Sequence, residues 1–233
     1  MLQKQSPQAY EKALCYVQDK ILAKEYRLGD RLPSVEELSN TLSVHPNSVR
    51  EALRTMQMLG VIDGSHGKEC YISGNFEKNL ITSLSMMFIL QNLDYSQVSQ
   101  LRVCLELKAC ELACAYRSDS HLKELHSIIR ELRSSQDEEY NAMLDAKFHY
   151  TIALISQNKL IIDILQALSS ITHTFIYDMR GYILSRGKYK KQLQLSHEQI
   201  VQGIEQRNFP MAEQALKEHF RIIDEEIFQL PHK

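Results

Sequence analysis

Apolar residues recur at spacings of three and four along most of the chain, which is the periodicity of amphipathic α-helices. In the N-terminal part this pattern predicts helices over residues 7–23, 35–42 and 46–59. Ser34 and Glu37 form a capping-box sequence before the second helix, and Pro46 suits the first turn of the third. Two helices of this size joined by a tight turn are typical of a helix-turn-helix motif.

The pattern then changes to two short extended stretches separated by glycines. Residues 60–63 and 69–72 are expected to form two strands, with residues 64–68 joining them as a hairpin. A hairpin directly after a helix-turn-helix indicates a wing. Its tip carries His66 and Lys68, whose side chains suit contact with a phosphate or with the minor groove of DNA.

The third helix is expected to have an apolar face and an opposite polar face that carries Asn47, Arg50, Glu51 and Arg54. Amide and guanidinium groups read base edges in the major groove, so this face predicts a recognition helix. A solvated amphipathic helix without a partner is the alternative interpretation. The residues that we expect to contact DNA are Arg31, Ser34, His45, Asn47, Ser48, Arg50, Arg54, His66 and Lys68.

From residue 76 onward the helical periodicity continues without a strand pattern. It predicts helices over residues 77–91, 95–117, 120–134, 138–157, 159–184, 189–207 and 210–230. The chain is therefore expected to be mainly α. A winged helix-turn-helix occupies residues 1–75, and an all-α antiparallel bundle of six or seven helices occupies residues 76–233.

Composition and charge add little to this prediction. The net charge of −2 does not by itself indicate a nucleic-acid partner, so that prediction depends on where the charges lie. No apolar run approaches the roughly 18 residues of a membrane span, and the first ten residues lack the apolar core of a signal peptide. Five cysteines cannot all pair. These features predict a cytoplasmic protein without a membrane partner.

Four polar residues of the predicted bundle have the spacing of metal ligands. Asp145 and His149 lie one helical turn apart, while His197 and His219 each lie eleven residues from Asn208, where the chain is expected to turn. Three imidazoles and a carboxylate suit a divalent ion, with zinc as first choice and nickel or manganese as alternatives. The helix phase that decides whether both histidines face the same point stays open at this stage.

Arg102 lies one helical turn before Glu106 and has two possible roles. A guanidinium can clamp a carboxylate with two parallel hydrogen bonds, but an exposed ion pair with Glu106 is an equally acceptable interpretation. A metal-dependent hydrolase or lyase is the main alternative for the whole chain, and a regulator that senses the ion itself is another. Because no phosphate loop, nucleophile elbow or HExxH helix occurs, we expect that the chain is not an enzyme.

The runs at residues 29–34, 49–53 and 59–62 resemble the winged helix of the GntR family of bacterial transcription regulators. Residues 145–149 and 196–200, with His219, resemble the metal-binding pattern of that family's FCD effector domain. The resemblance covers about residues 8–74 and 95–228. It implies an effector domain in which an ion helps to hold a small organic acid. Residues 101–106 are similar to the opening helix of that domain, which makes Arg102 the candidate for binding the acid's carboxylate.

The resemblance also implies that Arg50 contacts DNA. Relatives often carry a base-reading arginine where Pro46 stands, so Asn47, Ser48 and Arg50 are expected to do most of the reading. A two-fold symmetric homodimer would place two recognition helices about one DNA turn apart, roughly 34 Å. The expected partners are thus double-stranded DNA with a short inverted repeat, a small carboxylate effector and a second copy of the chain.

Overall fold

A computed structural model describes residues 7–64, 69–91, 95–169 and 190–228 of the 233-residue chain. The chain divides between Thr82 and Ser83 into two compact units. This division falls inside the helix Glu77–Leu90. The domain boundary that the sequence predicted, between residues 75 and 76, stays a prediction. Among the helices in the described ranges, none is both long and apolar enough to span a bilayer.

The first unit is built from three helices and a small sheet. Its elements are α1 Pro7–Leu22, α2 Val35–Leu42, α3 Pro46–Met58, β1 Ile62–Gly64 and β2 Cys70–Ile72. Helices α1 and α2 both pack on α3. Their apolar stripes meet in a core that includes Val17, Leu38, Val49, Met56 and Ile62, each at most 3% exposed.

The sheet is the base of the predicted wing. β1 and β2 pair antiparallel, with Ile62 opposite Ile72 and Gly64 opposite Cys70. An isolated antiparallel bridge joins Arg31 to Tyr71, so the extended piece before α2 lies beside the two-stranded sheet. The tip residues His66 and Lys68 lie outside the described residues, and their predicted DNA contacts therefore stay predictions.

Local capping fixes where the two helices of the helix-turn-helix begin. Ser34 caps α2 and completes the predicted capping box, because its hydroxyl accepts from the Glu37 backbone N–H while the Glu37 carboxylate accepts from the Ser34 N–H. α3 begins with Pro46 at its first turn, and the Nδ1 atom of His45 accepts from the Asn47 backbone N–H at 3.1 Å. Side chains next to the helix ends therefore set the turn between α2 and α3.

The second unit is helical throughout its described part. Its elements are α5 Tyr95–Tyr116, α6 Asp119–Ser134, α7 Glu138–Ile155, α8 at residues 159–169, α9 Lys190–Glu205 and α10 Phe209–Phe228; α4 Glu77–Leu90 spans the division between the units. The prediction of a mainly α chain with a winged helix-turn-helix and a helical bundle is confirmed. The part of the predicted helix at 159–184 that follows residue 169 lies outside the described residues.

Helices α9 and α10 form the hairpin that the sequence predicted around Asn208, and α10 also packs on α5. At Gly203 the two helices approach backbone to backbone. A Cβ atom at this position would lie 2.6 Å from the backbone nitrogen of Ala212 and 2.7 Å from its Cβ. Because such distances are well inside van der Waals contact, only glycine allows this spacing between α9 and α10.

Candidate functional site

The outer face of α3 presents the polar groups that the sequence assigned to DNA contact. Asn47, Arg50 and Arg54 are all exposed and lie one turn apart. The Nη1 atom of Arg50 donates to Oδ1 of Asn47 at 2.7 Å, and its Nη2 atom lies 4.0 Å from Oε1 of Glu36. This hydrogen bond and ion pair place the Arg50 guanidinium between the Asn47 amide and the Glu36 carboxylate on the exposed face of α3.

Three further predicted contacts are also exposed: Arg31, Ser34 and His45. Arg31 is exposed and pairs with Glu69 at 2.6 Å, and both line a surface groove that also includes Ser34, Arg50 and Arg54. Ser34 and His45 are exposed as well, but each already uses a side-chain atom to cap a helix. Five predicted contacts therefore lie on one surface, namely Arg31, Ser34, Asn47, Arg50 and Arg54. Ser34 and His45 also cap helices.

Ser48 is the predicted contact that the structure corrects. Its side chain is only 1% exposed, so it does not reach the surface that would face a groove. Ser48 lies four residues before Ala52 and eight before Met56, and both of these are buried on the inner face of α3. Helical periodicity therefore turns Ser48 towards the core, whereas Asn47 and Arg50 remain on the outer face of α3.

The four predicted metal ligands meet inside the helical unit. Asp145 and His149 come from α7, His197 from α9 and His219 from α10, and all four are at most 6% exposed. A possible ligand atom from each of the three histidines lies within 4.8 Å of the others. The helix phase that the sequence left open therefore directs His197 and His219 to the same point, with 4.7 Å between their ring centroids.

Distances within the cluster place the carboxylate beside the Nε2 atoms. Oδ1 of Asp145 lies 3.4 Å from Nε2 of His197, and its Oδ2 lies 3.9 Å from Nε2 of His149. The Nε2 atoms of His149 and His219 are buried and have no hydrogen-bond partner among the described residues. Two buried nitrogen atoms without partners are costly unless a bound group satisfies them.

Arg102 and Glu106 extend the cluster along α5. Both are buried, and Nε and Nη2 of Arg102 donate to Oε1 of Glu106 at 3.1 and 2.9 Å. The other carboxylate oxygen, Oε2, lies 2.5 Å from Nδ1 of His149. The ion pair between Arg102 and Glu106 is therefore formed, but it lies in the interior beside the histidines and not on the surface.

Ser196 is the neighbour of His219 within the cluster. Its hydroxyl donates to the backbone carbonyl of Leu193 at 2.6 Å and lies 3.2 Å from Nδ1 of His219.

The aromatic rings of Phe148 and Phe220 pack against the histidines. The ring centroid of Phe148 lies 4.7 Å from that of His197, and the ring centroid of Phe220 lies 5.4 Å from that of His219. The two phenylalanine rings therefore form an apolar part of the wall around the imidazoles.

The electrostatics of the cluster favour a neutral His219 and an ionised Glu106. Burial lowers the pKa of His219 well below its usual value, and the neighbouring His197 and His149 lower it further. Burial alone would raise the pKa of Glu106, but His149 and Arg102 outweigh that effect and lower it. A neutral His219 is the form of this side chain that can bind a divalent ion.

Sequence reasoning missed two members of this site. Glu106 was considered only as the ion-pair partner of Arg102, although both continue the buried stripe of α5 that includes Ala109 and Ala113. Charged residues within an otherwise apolar stripe are a signal that was available. Ser196 had no such signal, because its position beside His219 depends on how α9 and α10 pack.

Comparison with known proteins relates both units to one family. Residues 9–72 match the model of the bacterial regulatory proteins of the gntR family, and residues 97–222 match the model of the FCD domain. The HTH-type transcriptional regulator LutR of Bacillus subtilis (strain 168) is 28% identical over 204 residues, which cover 86% of this chain and 93% of LutR. The HTH-type transcriptional repressor NanR of Salmonella schwarzengrund (strain CVM19633) is 27% identical over 208 residues, 85% of this chain and 76% of NanR.

Among solved structures, a Streptococcus agalactiae GntR protein superposes with a TM-score of 0.62 at 22% identity and covers 93% of this chain and 99% of that one. This match concerns the fold alone. The fold and the family matches together define a DNA-binding transcription regulator with an effector-binding domain, and not an enzyme. The chain belongs to the gntR family of bacterial regulatory proteins, and its second unit contains an FCD domain.

Proposed function

We propose that a small organic acid, held at a divalent metal site in the helical unit, controls the affinity of this regulator for its operator. The observation that supports this proposal is the buried cluster of His149, His197 and His219 next to Asp145. Three imidazoles and a carboxylate form a donor set that binds zinc, nickel or manganese. Nickel and manganese stay alternatives to zinc, because cellular supply decides the loading together with affinity.

The residues present fit such an ion. The buried Nε2 atoms of His149 and His219, which have no hydrogen-bond partner among the described residues, would gain one. The Asp145 carboxylate lies on the same side of the rings as Nε2 of His149 and of His197. An ion bound there would supply a Lewis-acidic centre that attracts a carboxylate oxygen.

Arg102 is the residue that would hold the effector beside the ion. A guanidinium has five N–H donors, and Arg102 directs Nε and Nη2 at a single oxygen of Glu106. Its Nη1 donors suit the carboxylate of an organic acid. The buried position of Arg102 strengthens this interaction, because charge-assisted hydrogen bonds are strongest away from water.

Control of DNA binding then follows from linkage. An acid that binds more tightly to one arrangement of the chain than to another shifts the population, and it changes operator affinity by that difference in binding free energy. We propose that the regulator acts as a homodimer. Two copies of α3 about one DNA turn apart, roughly 34 Å, would recognise a short inverted repeat.

A binding assay with the full-length protein tests the proposal. Fluorescence anisotropy on DNA from the promoter region of its own gene is measured with metal-free protein, with added zinc or nickel, and with zinc plus a panel of small mono- and dicarboxylic acids. We expect at least one acid to change the affinity about fivefold or more in the metal-loaded wild type but not in His149→Ala. Equal responses in both proteins would contradict the proposal.

A metal-sensing regulator is the second candidate, because Arg102 already pairs with a carboxylate of the chain itself. In that case the ion alone is the signal, and Glu106 occupies the position that an acid would take. A titration of operator binding with zinc, nickel and manganese in the absence of any acid separates the two. A full response to metal alone favours sensing, whereas a response that requires the acid favours effector control.

A further inference from the structure

Glu106 and Ser196 lie next to the Nδ1 atoms of His149 and His219, and these contacts bear on which ring nitrogen carries the proton. An imidazole binds a metal ion only through a nitrogen that carries a lone pair, so the proton must be on the other nitrogen. Neither Glu106 nor Ser196 is one of the candidate ligands. Both nevertheless contact a histidine on the side away from its Nε2 atom.

The hydrogen bonds of Ser196 fix the form of His219. A hydroxyl has one hydrogen, and Ser196 donates its hydrogen to the carbonyl of Leu193 at 2.6 Å. Towards Nδ1 of His219, at 3.2 Å, the Ser196 oxygen can therefore only accept. Nδ1 must carry the proton, and Nε2 of His219 keeps its lone pair.

Glu106 lies on the corresponding side of His149. Its Oε2 atom is 2.5 Å from Nδ1 of His149, an ion-pair distance, although no described residue gives Nδ1 a hydrogen bond in an aligned geometry. A carboxylate offers acceptor sites only, so this contact favours a proton on Nδ1, and in the neutral ring the lone pair is then on Nε2. Arg102 holds the other oxygen of Glu106, which keeps this carboxylate in place inside the bundle.

We infer that Glu106 and Ser196 are positioning residues that direct the Nε2 lone pairs of His149 and His219 towards one ion. This inference rests on the proposed metal site. Polar groups behind metal-bound histidines orient the rings and increase their basicity, and losing one typically lowers metal affinity 10- to 100-fold. Two of the three imidazoles would thus be prepared for the ion before it arrives.

Metal affinity measured on variants of the full chain tests the role of the two residues. Glu106→Gln and Ser196→Ala are compared by chelator competition with zinc, alongside urea unfolding of the metal-free proteins. Matched controls are Glu111→Gln, an exposed carboxylate on the same helix, and Ser99→Ala, a buried serine that donates to Asp224. We expect about 10- to 100-fold weaker zinc binding for Glu106→Gln, about tenfold for Ser196→Ala, and wild-type affinity for both controls.

If a variant does not fold, the position of the ring proton can still be measured on the wild-type protein. In the metal-free chain with 15N-labelled histidine rings, two-bond N–H correlation spectra show which nitrogen carries the proton, and His149→Gln and His219→Gln assign the signals. We expect the Nδ1–H form for His149 and His219. The Nε2–H form in either residue, or unchanged zinc affinity in both folded variants, would overturn the inference. If the wild type binds no metal, the proposed metal site and this inference both fail, whereas a metal-binding wild type with the Nε2–H form overturns the inference alone.

Discussion

The two units place their functional residues in opposite ways. In the DNA-binding unit, Asn47, Arg50 and Arg54 are exposed and come from one face of one helix. In the helical unit the candidate ligands are buried and come from α7, α9 and α10. Local periodicity alone builds the first surface, whereas the second depends on how distant helices pack. In the metal-free chain, a substitution at one site should therefore leave the binding surface of the other unchanged, and the two kinds of substitution should differ in their cost to stability.

The largest expected effect is loss of the ion when one imidazole is removed from the cluster. In His219→Ala we expect zinc binding to weaken at least 100-fold, because one of three nitrogen donors is lost and Ser196 loses its partner. Isothermal titration of metal-free protein measures this. DNA affinity in the absence of metal should stay at the wild-type value, and a parallel loss of both would contradict the independence of the units.

The converse substitution is Arg50→Ala. It removes a guanidinium from the exposed face of α3 and should weaken operator binding by about 1–3 kcal/mol, roughly 5- to 150-fold. Arg50→Lys keeps the charge but not the planar fork, so it should recover only part of the affinity. Anisotropy at fixed salt measures both, and circular dichroism checks the fold. Wild-type affinity in Arg50→Ala would remove this residue from the interface.

The close approach of α9 and α10 at Gly203 brings His197 and His219 together. Gly203→Ala places a methyl group against Ala212 and should destabilise the helical unit by about 1–3 kcal/mol, although alanine favours helices. Zinc affinity should fall with it, because separating α9 from α10 separates their histidines. Gln202→Ala, an exposed neighbour on α9, is the control for helix propensity, and urea unfolding measures both. Equal stability of the two variants would show that the close approach is not needed.

The smallest effect is expected at the start of α2 in the DNA-binding unit. Ser34→Ala removes the hydroxyl that accepts from the Glu37 N–H and should cost about 1 kcal/mol. Ser34→Asp keeps a capping acceptor and should retain most of the stability. Urea unfolding followed by circular dichroism compares them. The zinc affinity of Ser34→Ala should equal that of the wild type, and a change in it would contradict the separation of the two sites.

What the sequence could predict follows the same division. Helical periodicity and the capping box located α2 and α3 to within a residue, because the signals lie next to each other in the chain. The same periodicity should have excluded Ser48, which lies in phase with Ala52 and Met56. Symmetric spacing about Asn208 predicted that His197 and His219 would lie at the same height in their hairpin, but not that they would face each other.

The contacts behind the histidines were beyond the sequence for a physical reason. Arg102 and Glu106 are one turn apart, which predicts an ion pair but not its burial against His149. That burial depends on the packing of α5 on α7 and α10. The position of Ser196 beside His219 depends in the same way on the close approach of α9 and α10 at Gly203.

The central claim is that the buried imidazoles form a metal centre, and a crystal structure of the zinc-loaded chain with anomalous diffraction at the zinc edge tests it most directly. We expect one strong peak within about 2.0–2.1 Å of the Nε2 atoms of His149, His197 and His219, with an Asp145 oxygen as a fourth ligand. No peak in this cluster, or an ion bound through Nδ1 of these histidines, would contradict the account.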